Sequence, residues 1–391
     1  MTLASDEVFM RRAIELAGRG RGAVEPNPMV GCVIVQGGRV IGEGYHRRFG
    51  GPHAEREALA ACVESPAGAT AFVTLEPCCH TNKKTPPCVP GLIEAGISRV
   101  VIACLDPNPQ VAGGGVSQLS AAGVRVESRL LEAEAKQLIA PFFARMVHHR
   151  PYVTLKWAQS ADGKVAGPAG QRRQISNSSS MRLVHELRAR GDAILVGIGT
   201  ALADDPLLTA RKVTPCRPLI RCVVDSHLRL PAESKLANTT DLGPVVVYCG
   251  ADALREAPGR ADALRGKGVE IVSLGLEGSH RRLSLREVLG DLYRRQVTHL
   301  LIEPGPTLAR SLLQENLADR IWVFRSPVRI DSPTAPAAAG VDYPVAGQVH
   351  VDGDVLTEYL NPASDVFYRL EPSVDLKLAL AGASVPGQVR D

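Results

Sequence analysis

The 391-residue sequence lacks the features that would point to nucleic acid or to a membrane. Lysine and arginine leave a net charge of only +4, no basic tail is present, and aromatic residues make up 4% of the chain. A nucleic-acid-binding surface usually carries a basic or aromatic track, so the composition gives no reason to expect one. Residues 1–20 hold no uninterrupted hydrophobic run, and acids precede their apolar residues, which predicts an amphipathic helix and not a signal peptide. We therefore expect a cytoplasmic protein.

Cysteine is also scarce, with nine scattered over the chain. An odd number in a reducing compartment argues against a disulfide framework and favours metal ligands and buried thiols. Six cysteines lie in apolar segments and are predicted to be buried: Cys32, Cys62, Cys104, Cys216, Cys222 and Cys249.

The length and the order of apolar segments predict two α/β domains. A polar link broken by Pro151 places the boundary near 147–150, giving domains at 1–148 and 149–391. Strands alternate with helices in the first domain, which predicts three layers. Most strands of the second are continuous apolar runs, as in a largely parallel sheet covered on both faces.

Several elements can be predicted individually. Residues 31–46 read as a hairpin turning at Gly37 and Gly38. The first helix is expected to bury a face that includes Val8, Ala13 and Ala17. Residues 131–151 are predicted to form one helix, and 328–348, rich in proline and alanine, an irregular surface segment.

The stretch 53–88 has the composition of a catalytic zinc site. His53, Cys78 and Cys88 can supply one imidazole and two thiolates, which leaves a fourth tetrahedral position for water. In zinc-dependent nucleobase deaminases, a glutamate that is not a ligand moves the proton, and Glu55 fits that role. The usual second cysteine is replaced by Thr81, so the distal ligand must be Cys88. A closed zinc knuckle or three unrelated buried cysteines are the alternatives, but a knuckle would not need the His-x-Glu helix.

Polar residues near these ligands are candidates for substrate binding. His80, Lys84 and Thr85 form a polar, cationic loop suited to a phosphate or sugar, although a solvated loop would look the same. Asn27 lies between two prolines that restrict its backbone, which either holds its amide toward a ring or serves a turn. His46 could bind substrate or only finish the hairpin.

The second half has no G-x-G-x-x-G after its first strand, so the usual dinucleotide fingerprint is absent. Residues 303–313, EPGPTLARSLL, instead place a Gly-Pro turn between a strand and a helix. The free amides and dipole of that helix could hold a phosphate, and a simple tight turn is the alternative.

Motifs in both halves resemble the bifunctional deaminase and reductase of bacterial riboflavin biosynthesis. They are NPMVG, GEGYH, GGPHAE, VTLEPCCH, KTPPC and DPNPQVAGGG, followed by LKWAQSADGKVA, GIGTALADDPLLTAR, VVDS and EPGPTLA. The resemblance implies a cytidine-deaminase-like domain followed by a dihydrofolate-reductase-like domain, with one zinc ion per chain and NADPH as cofactors. It further implies a homo-oligomer that deaminates a phosphoribosylamino-diaminopyrimidinone and then reduces the ribosyl group of the product to ribityl.

The resemblance also assigns residues. Around the deaminase substrate it places Asn27, His46, His80, Lys84 and Thr85. Contacts with NADPH are implied for Ala158, Thr200, Asp204, Ser226, Gly305, Pro306, Thr307, Leu308, Ala309, Arg310 and Ser311. The second substrate would meet Lys156, Arg188, Leu208, Arg211 and Glu303.

One departure keeps another hypothesis open. Where relatives often have Ser-x-Trp-Ile-Thr, this chain has residues 172–176, RRQIS, and an aromatic cofactor contact is lost. The second half could then be a degenerate scaffold for oligomerisation beside a working deaminase. A nucleic-acid-editing deaminase with the same zinc core is a third possibility, which the weak net charge disfavours.

Overall fold

The computed structural model describes residues 3–80, 85–109, 111–211, 213–215, 217–277, 282–364 and 376. It divides into two compact units, the first running to His149 and the second beginning at Arg150. No helix within these described ranges is both long and apolar enough to cross a membrane.

The first unit alternates strands and helices. Its strands are β1 (Gly31–Gln36), β2 (Arg39–Tyr45), β3 (Thr70–Leu75), β4 (Arg99–Cys104) and β5 (Arg125–Ser128). Its helices are α1 (Leu3–Gly18), α2 (Ala54–Ala60), α3 (Cys88–Glu94), α4 (Gly114–Ala121), α5 (Glu132–Leu138) and α6 (Ala140–His148).

Within the described part of this unit, five strands form one sheet in the order β2-β1-β3-β4-β5. The predicted hairpin is present as antiparallel β1 and β2, and β3, β4 and β5 run parallel. Alternate side chains face opposite sides. Ile34 and Val73 pack in one core with Ala58 of α2, whereas Phe72 stacks on Phe9 of α1 with ring centroids 5.4 Å apart. The predicted three-layer domain is confirmed.

Helix α2 lies unusually close to the sheet. A Cβ atom on Gly42 would lie 2.4 Å from the Ala58 carbonyl oxygen, and one on Gly44 would lie 2.3 Å from the Ala58 nitrogen. No side chain fits at those distances, so the two glycines let the helix backbone rest directly on β2. This contact fixes the position of the helix that begins just after His53.

Two predictions about the helices of this unit are wrong. Val8 is 63% exposed, because it lies about 200° around α1 from Met10, which belongs to the buried stripe with Ala13. Residues 131–151 form two helices, α5 and α6, that meet at Ile139. Pro141 explains the break, since it has no N–H to donate and its ring would clash with the preceding turn of a continuous helix.

The second unit begins a new α/β alternation. Its strands are β6 (Tyr152–Gln159), β7 (Ala193–Gly197), β8 (Ile220–Val224), β9 (Val245–Gly250), β10 (Glu270–Leu274), β11 (Leu276–Glu277), β12 (Arg282–Leu283), β13 (His299–Ile302), β14 (Arg320–Arg325), β15 (Val345–Val351) and β16 (Asp354–Leu360). Its helices are α7 (Ser178–Arg190), α8 (Ile198–Asp204), α9 (Ala251–Glu256), α10 (Pro258–Gly266), α11 (Leu285–Arg294) and α12 (Pro306–Gln314).

Nine strands of the described chain form the main sheet of this unit, in the order β10-β9-β8-β7-β13-β6-β14-β16-β15. The strands from β10 to β14 run parallel, and β16 is antiparallel to β14 and β15. Ile194 and Val196 pack in one core and Leu195 in the other, so both faces are covered. The predicted largely parallel sheet is therefore confirmed.

Two further predictions need correction. Within 328–348, Val345 to Gln348 belong to β15, where they pair with β16 through a shift in register between Val345 and Gly347. Cys62 is only partly buried, whereas Cys32, Cys104, Cys222 and Cys249 are buried as predicted. Cys216 lies outside the described residues.

Candidate active sites

The structure brings His53, Cys78 and Cys88 together. Their ligand atoms all lie within 4.8 Å of one another, and His53 Nδ1 is 3.5 Å from each of the two sulfurs. Zinc bonds of about 2.1 Å to nitrogen and 2.3 Å to sulfur, at a tetrahedral angle, would separate these atoms by about 3.6 Å. The donor set and its spacing therefore fit a zinc ion.

Local backbone contacts hold the three ligands. His53 is the N-cap residue of α2, and Cys88 is the first residue of α3. The Cys78 carbonyl accepts hydrogen bonds from the amides of Cys88 (3.0 Å) and Val89 (3.3 Å). This cap joins the two cysteines across the loop between them, because the first amides of a helix need partners from outside it. Cys79 turns elsewhere, with its sulfur beside Gly114.

Glu55 lies in the first turn of α2 and is 3% exposed. Burial raises the pKa of its carboxyl group, and the neighbouring Cys78 thiolate raises it further. Its Oε2 atom has no hydrogen-bond partner among the described residues. A buried carboxylate oxygen with no partner and a raised pKa is suited to accepting and releasing a proton.

A cavity of about 330 Å³ opens at this cluster, and Asn27, His46, His80 and Thr85 all line it. Asn27 Nδ2 lies 3.1 Å from His46 Nε2, and His46 Nδ1 lies 2.8 Å from the Pro52 carbonyl oxygen. The Pro52 contact requires a proton on Nδ1, so the other nitrogen of a neutral ring accepts from the Asn27 amide. Burial lowers the pKa of His46, which agrees with that neutral form.

Of the loop candidates, Thr85 also contacts a predicted zinc ligand. Thr85 Oγ1 lies 3.1 Å from His53 Nε2, on the far side of the imidazole from the two sulfurs. Such a contact orients a ligating histidine and fixes its tautomer. Lys84 lies outside the described residues.

Several residues that were not predicted from the sequence line the same cavity, among them Glu76, Asp106 and Asn108. Glu76 follows β3, and the other two follow β4, its parallel neighbour. Parallel strands end at the same edge of a sheet, and that edge is where ligands bind in α/β folds. The DPNP turn directly after a buried strand was therefore the feature of the sequence that could have indicated these cavity-lining residues.

The second unit contains a cavity of about 1300 Å³. It is lined by residues at the carboxyl ends of several parallel strands, including Gly197 of β7, Ser226 after β8 and Glu303 after β13. All five residues predicted to bind the second substrate line it, as do these predicted cofactor residues: Ala158, Thr200, Asp204, Ser226, Gly305, Pro306, Thr307, Leu308 and Ser311.

Two of the predicted cofactor residues do not line this cavity. Ala309 is 2% exposed and packs inward, and Arg310 is exposed on another side of the helix. The reason is that α12 begins at Pro306, so successive side chains rotate around its axis and only part of the segment faces the cavity.

Charge is concentrated at one end of this cavity. Arg188 donates to both carboxylate oxygens of Glu303, at 2.7 and 2.9 Å, and also to the Thr209 carbonyl. Burial would raise the pKa of Glu303, but Arg188 and Lys156 outweigh it and hold that pKa at about 2. Burial lowers the pKa of Lys156. The carboxylate is thus fixed in its charged form between two cations.

The segment that departs from the family pattern lies in the same cavity. Residues 172–176 all line it, and Arg172 offsets part of the burial effect that raises the pKa of Asp204. The segment therefore has Gln174 at the aromatic position and an added cation at Arg172, and it lines the cavity.

Comparisons with known proteins cover both units. Residues 3–104 match the cytidine and deoxycytidylate deaminase zinc-binding region, and residues 151–338 match the RibD C-terminal domain. The riboflavin biosynthesis protein RibD of Aquifex aeolicus is 39% identical over 322 residues, covering 82% of this chain and 87% of that protein. The chain belongs to the RibD family.

Solved structures of RibD proteins agree with the whole architecture. Acinetobacter baumannii RibD aligns with a TM-score of 0.80 at 34% identity, covering 92% of this chain and 99% of that one. A diaminohydroxyphosphoribosylaminopyrimidine deaminase/5-amino-6-(5-phosphoribosylamino)uracil reductase from Thermotoga maritima aligns with a TM-score of 0.78 at 35% identity, with the same coverage.

Membership of the RibD family confirms the predicted fold classes and both predicted activities, a deaminase and a reductase of riboflavin biosynthesis. It also confirms zinc and NADPH as the cofactors. The relatives align along both halves of the chain, so a degenerate second half is not favoured, and neither is an editing enzyme.

Proposed function

We propose that the first site hydrolyses the ring amine of 2,5-diamino-6-(5-phosphoribosylamino)pyrimidin-4(3H)-one. We further propose that the second reduces the ribosyl group of the product, 5-amino-6-(5-phosphoribosylamino)uracil, to ribityl. The observation that carries the proposal is the zinc-ligand set His53, Cys78 and Cys88 in a cavity of about 330 Å³ that Glu55 also lines. The Glu55 Oε2 atom has no hydrogen-bond partner in the described part of the chain. The Thermotoga maritima relative is named as a diaminohydroxyphosphoribosylaminopyrimidine deaminase and a 5-amino-6-(5-phosphoribosylamino)uracil reductase, which supports this choice of substrates.

In the deaminase site, some residues would bind zinc and another would transfer the proton. Zinc held by the three ligands would lower the pKa of a water in the fourth position and so prepare the nucleophile. Glu55 Oε2 would accept the proton and return it to the departing ammonia, a role that suits a buried carboxylate oxygen beside the metal ligands. Thr85 keeps the His53 ring in the orientation that presents Nδ1.

Substrate recognition would use the polar groups around the cavity. The Asn27 amide, held by His46, has a further donor and its acceptor oxygen left for the pyrimidine edge. His80 Nδ1 is buried without a hydrogen-bond partner among the described residues, so it is available to the phosphoribosyl arm. We assign Lys84 to the phosphate by its charge alone.

In the reductase site, NADPH supplies the hydride. The first turn of α12, where the amides of Thr307 and Leu308 have no partner within the helix, lines the cavity and can hold an anionic phosphate. Arg188 and Lys156 hold Glu303 charged, and this charged group would fix the hydroxyls of the substrate beside the cofactor. Leu208 and Arg211 complete the predicted substrate side.

Incubation of the purified protein with the diaminopyrimidine phosphate, followed by mass spectrometry, tests both steps. Without NADPH we expect only the deaminated product, and with NADPH the same product carrying two more hydrogens. Absence of deamination by zinc-loaded protein would contradict the first proposal. Deamination without NADPH consumption would restore the hypothesis of a degenerate second half, and a salt-dependent shift with RNA would favour the editing enzyme.

We also propose that the chain works as a homo-oligomer in the cytoplasm. The oligomer follows from the resemblance to its family, and light scattering at several protein concentrations would test it. A constant monomer mass at micromolar concentration would contradict it.

A further inference from the structure

Glu76 is a buried carboxylate at the rim of the deaminase cavity, with an exposure of 3%. Four backbone amides donate to it. Oε1 accepts from Gly115 (2.9 Å) and Val116 (3.2 Å), and Oε2 accepts from Gly113 (3.0 Å) and Asp106 (3.3 Å). Glu76 is not a member of the metal-ligand cluster of His53, Cys78 and Cys88.

Three of these amides belong to the start of helix α4. The first N–H groups of a helix have no partner within it, and the positive end of its dipole favours a negative charge. Glu76 thus caps α4 from the end of β3, because the N-cap residue, Gly113, has no side chain that could do so. The approach is close, because a Cβ atom on Gly115 would lie 2.2 Å from the Pro77 carbonyl oxygen.

The fourth amide connects this cap to the cavity. It belongs to Asp106, whose Oδ1 atom accepts from the Asn108 amide at 2.8 Å. The Asn108 carbonyl in turn accepts from Val111 (2.8 Å) and Ala112 (3.0 Å). Asp106 and Asn108 both line the cavity, so the segment that carries them is held at both ends by one carboxylate.

Glu76 also directly follows β3 and stands two residues before the metal ligand Cys78. The peptide that carries the metal site and the segment 106–116 are therefore joined at a single side chain. We propose that Glu76 is a positioning residue of the deaminase, which sets the distance between the metal site and the substrate-facing side chains of Asp106 and Asn108. The proposal rests on the deaminase function proposed above.

Glu76→Gln tests the role with little change in shape. The glutamine NH₂ group would face two N–H donors where a carboxylate oxygen now accepts, so two of the four hydrogen bonds are lost. Because Asp106 and Asn108 are then held less firmly, we expect KM for the diaminopyrimidine phosphate to rise about 10-fold to 100-fold. Because Glu55 and the metal ligands are untouched, kcat should stay within about threefold and zinc content should equal that of the wild type.

A merely structural cap would behave differently, and Asp6→Asn provides the matched control. Asp6 is another buried carboxylate of the same unit, it pairs with Arg99 at 2.7 Å, and it does not line the cavity. We expect Asp6→Asn to lower thermal stability without changing KM. A Glu76→Gln protein that loses stability while KM stays unchanged would overturn the proposal.

A double-mutant cycle shows whether Glu76 acts through its segment. We expect Asn108→Ala to raise KM. The double variant Glu76→Gln/Asn108→Ala should raise KM hardly more than the larger single effect, because both changes weaken the same contact between Asn108 and the substrate. Fully additive effects would overturn the proposal. In Glu76→Gln we also expect faster hydrogen exchange at the amides of Gly113, Gly115 and Val116, with or without substrate.

A second variant and the activity of the wild type distinguish misfolding and a wrong function from a wrong role of Glu76. If Glu76→Gln fails to fold, Glu76→Asp keeps the charge but withdraws it by one carbon–carbon bond, and the same rise in KM is expected. An unchanged KM in that variant would count against the proposal. A wild-type protein that holds zinc but deaminates nothing would refute the proposed function itself. If the wild type deaminates and the Glu76 variants have an unchanged KM, only the role of Glu76 is refuted.

Discussion

Replacing Glu303 by glutamine should destabilise the reductase unit by an amount that depends on pH. Glutamine resembles the protonated acid, so the variant has the charge state that the wild type reaches only in strong acid. The wild-type pKa is about 2, against 4.5 for an ordinary glutamate, because Arg188 and Lys156 outweigh the effect of burial. One pKa unit corresponds to about 1.4 kcal/mol, so the charged group contributes about 3 kcal/mol to native-state stability.

The pH dependence has a definite sign. A carboxylate whose pKa is lowered by folding stabilises the native state fully above the unfolded pKa, and the contribution disappears as pH falls through the folded pKa. Wild type and Glu303→Gln should therefore differ by about 3 kcal/mol at pH 7. By the same linkage relation, the difference should fall to roughly 1.5 kcal/mol at pH 3.

Tryptophan fluorescence provides an assay specific to this unit. The chain has two tryptophans, Trp157 and Trp322, and both are buried in the second unit, at 6% and 3% exposure. Urea titrations followed at this signal report the unfolding of the reductase unit. The exposed pair of Arg329 and Asp331 supplies the control, since Asp331→Asn should leave the titration nearly unchanged.

A second comparison tests the physical cause. Removing one member of a buried ion pair leaves an uncompensated charge, whereas removing both can be nearly neutral. Arg188→Met combined with Glu303→Leu should therefore be more stable than Glu303→Gln alone. Equal stability of wild type and Glu303→Gln at both pH values would refute this account of the pair.

The deaminase unit gives three further expectations. Cys78→Ser should lose zinc and Cys79→Ser should keep it, as measured by metal analysis, because only the first sulfur faces the ligand cluster; the reverse result would show that the ligand assignment is wrong. Glu55→Gln should retain zinc yet slow deamination about a hundredfold or more, and undiminished turnover would remove Glu55 from the mechanism. Thr85→Val should weaken zinc binding about tenfold or more in a chelator competition, because His53 Nε2 loses its partner, and an unchanged affinity would contradict that role.

The metal-site residues could be predicted from the sequence because zinc chemistry allows few residue types. His53, Cys78 and Cys88 are recognisable by type and spacing alone, whatever the fold around them. Glu76 and Asp106 carry no such restriction. Their meeting depends on β3 and β4 being parallel neighbours, which the sequence does not state, so the contact could be found only in the structure.

The helices show the same limit on a smaller scale. The existence of α1 follows from its apolar period, but the identity of its buried face does not, since Val8 and Met10 are both apolar and point in opposite directions. The break between α5 and α6 carried a local signal in Pro141 that an unbroken amphipathic pattern concealed. Local chemistry thus determines which elements form, and tertiary contacts determine which residues meet.

The residues that line each cavity come from one unit only, 27 to 142 for the smaller and 156 to 336 for the larger. Among the described residues, each cavity is therefore lined within its own part of the chain. Two defective alleles, one carrying Glu55→Gln and the other Glu303→Gln, should complement each other when they are expressed together. Each polypeptide would then perform the step that the other has lost, and a cell that needs riboflavin would grow with no intact copy of the gene.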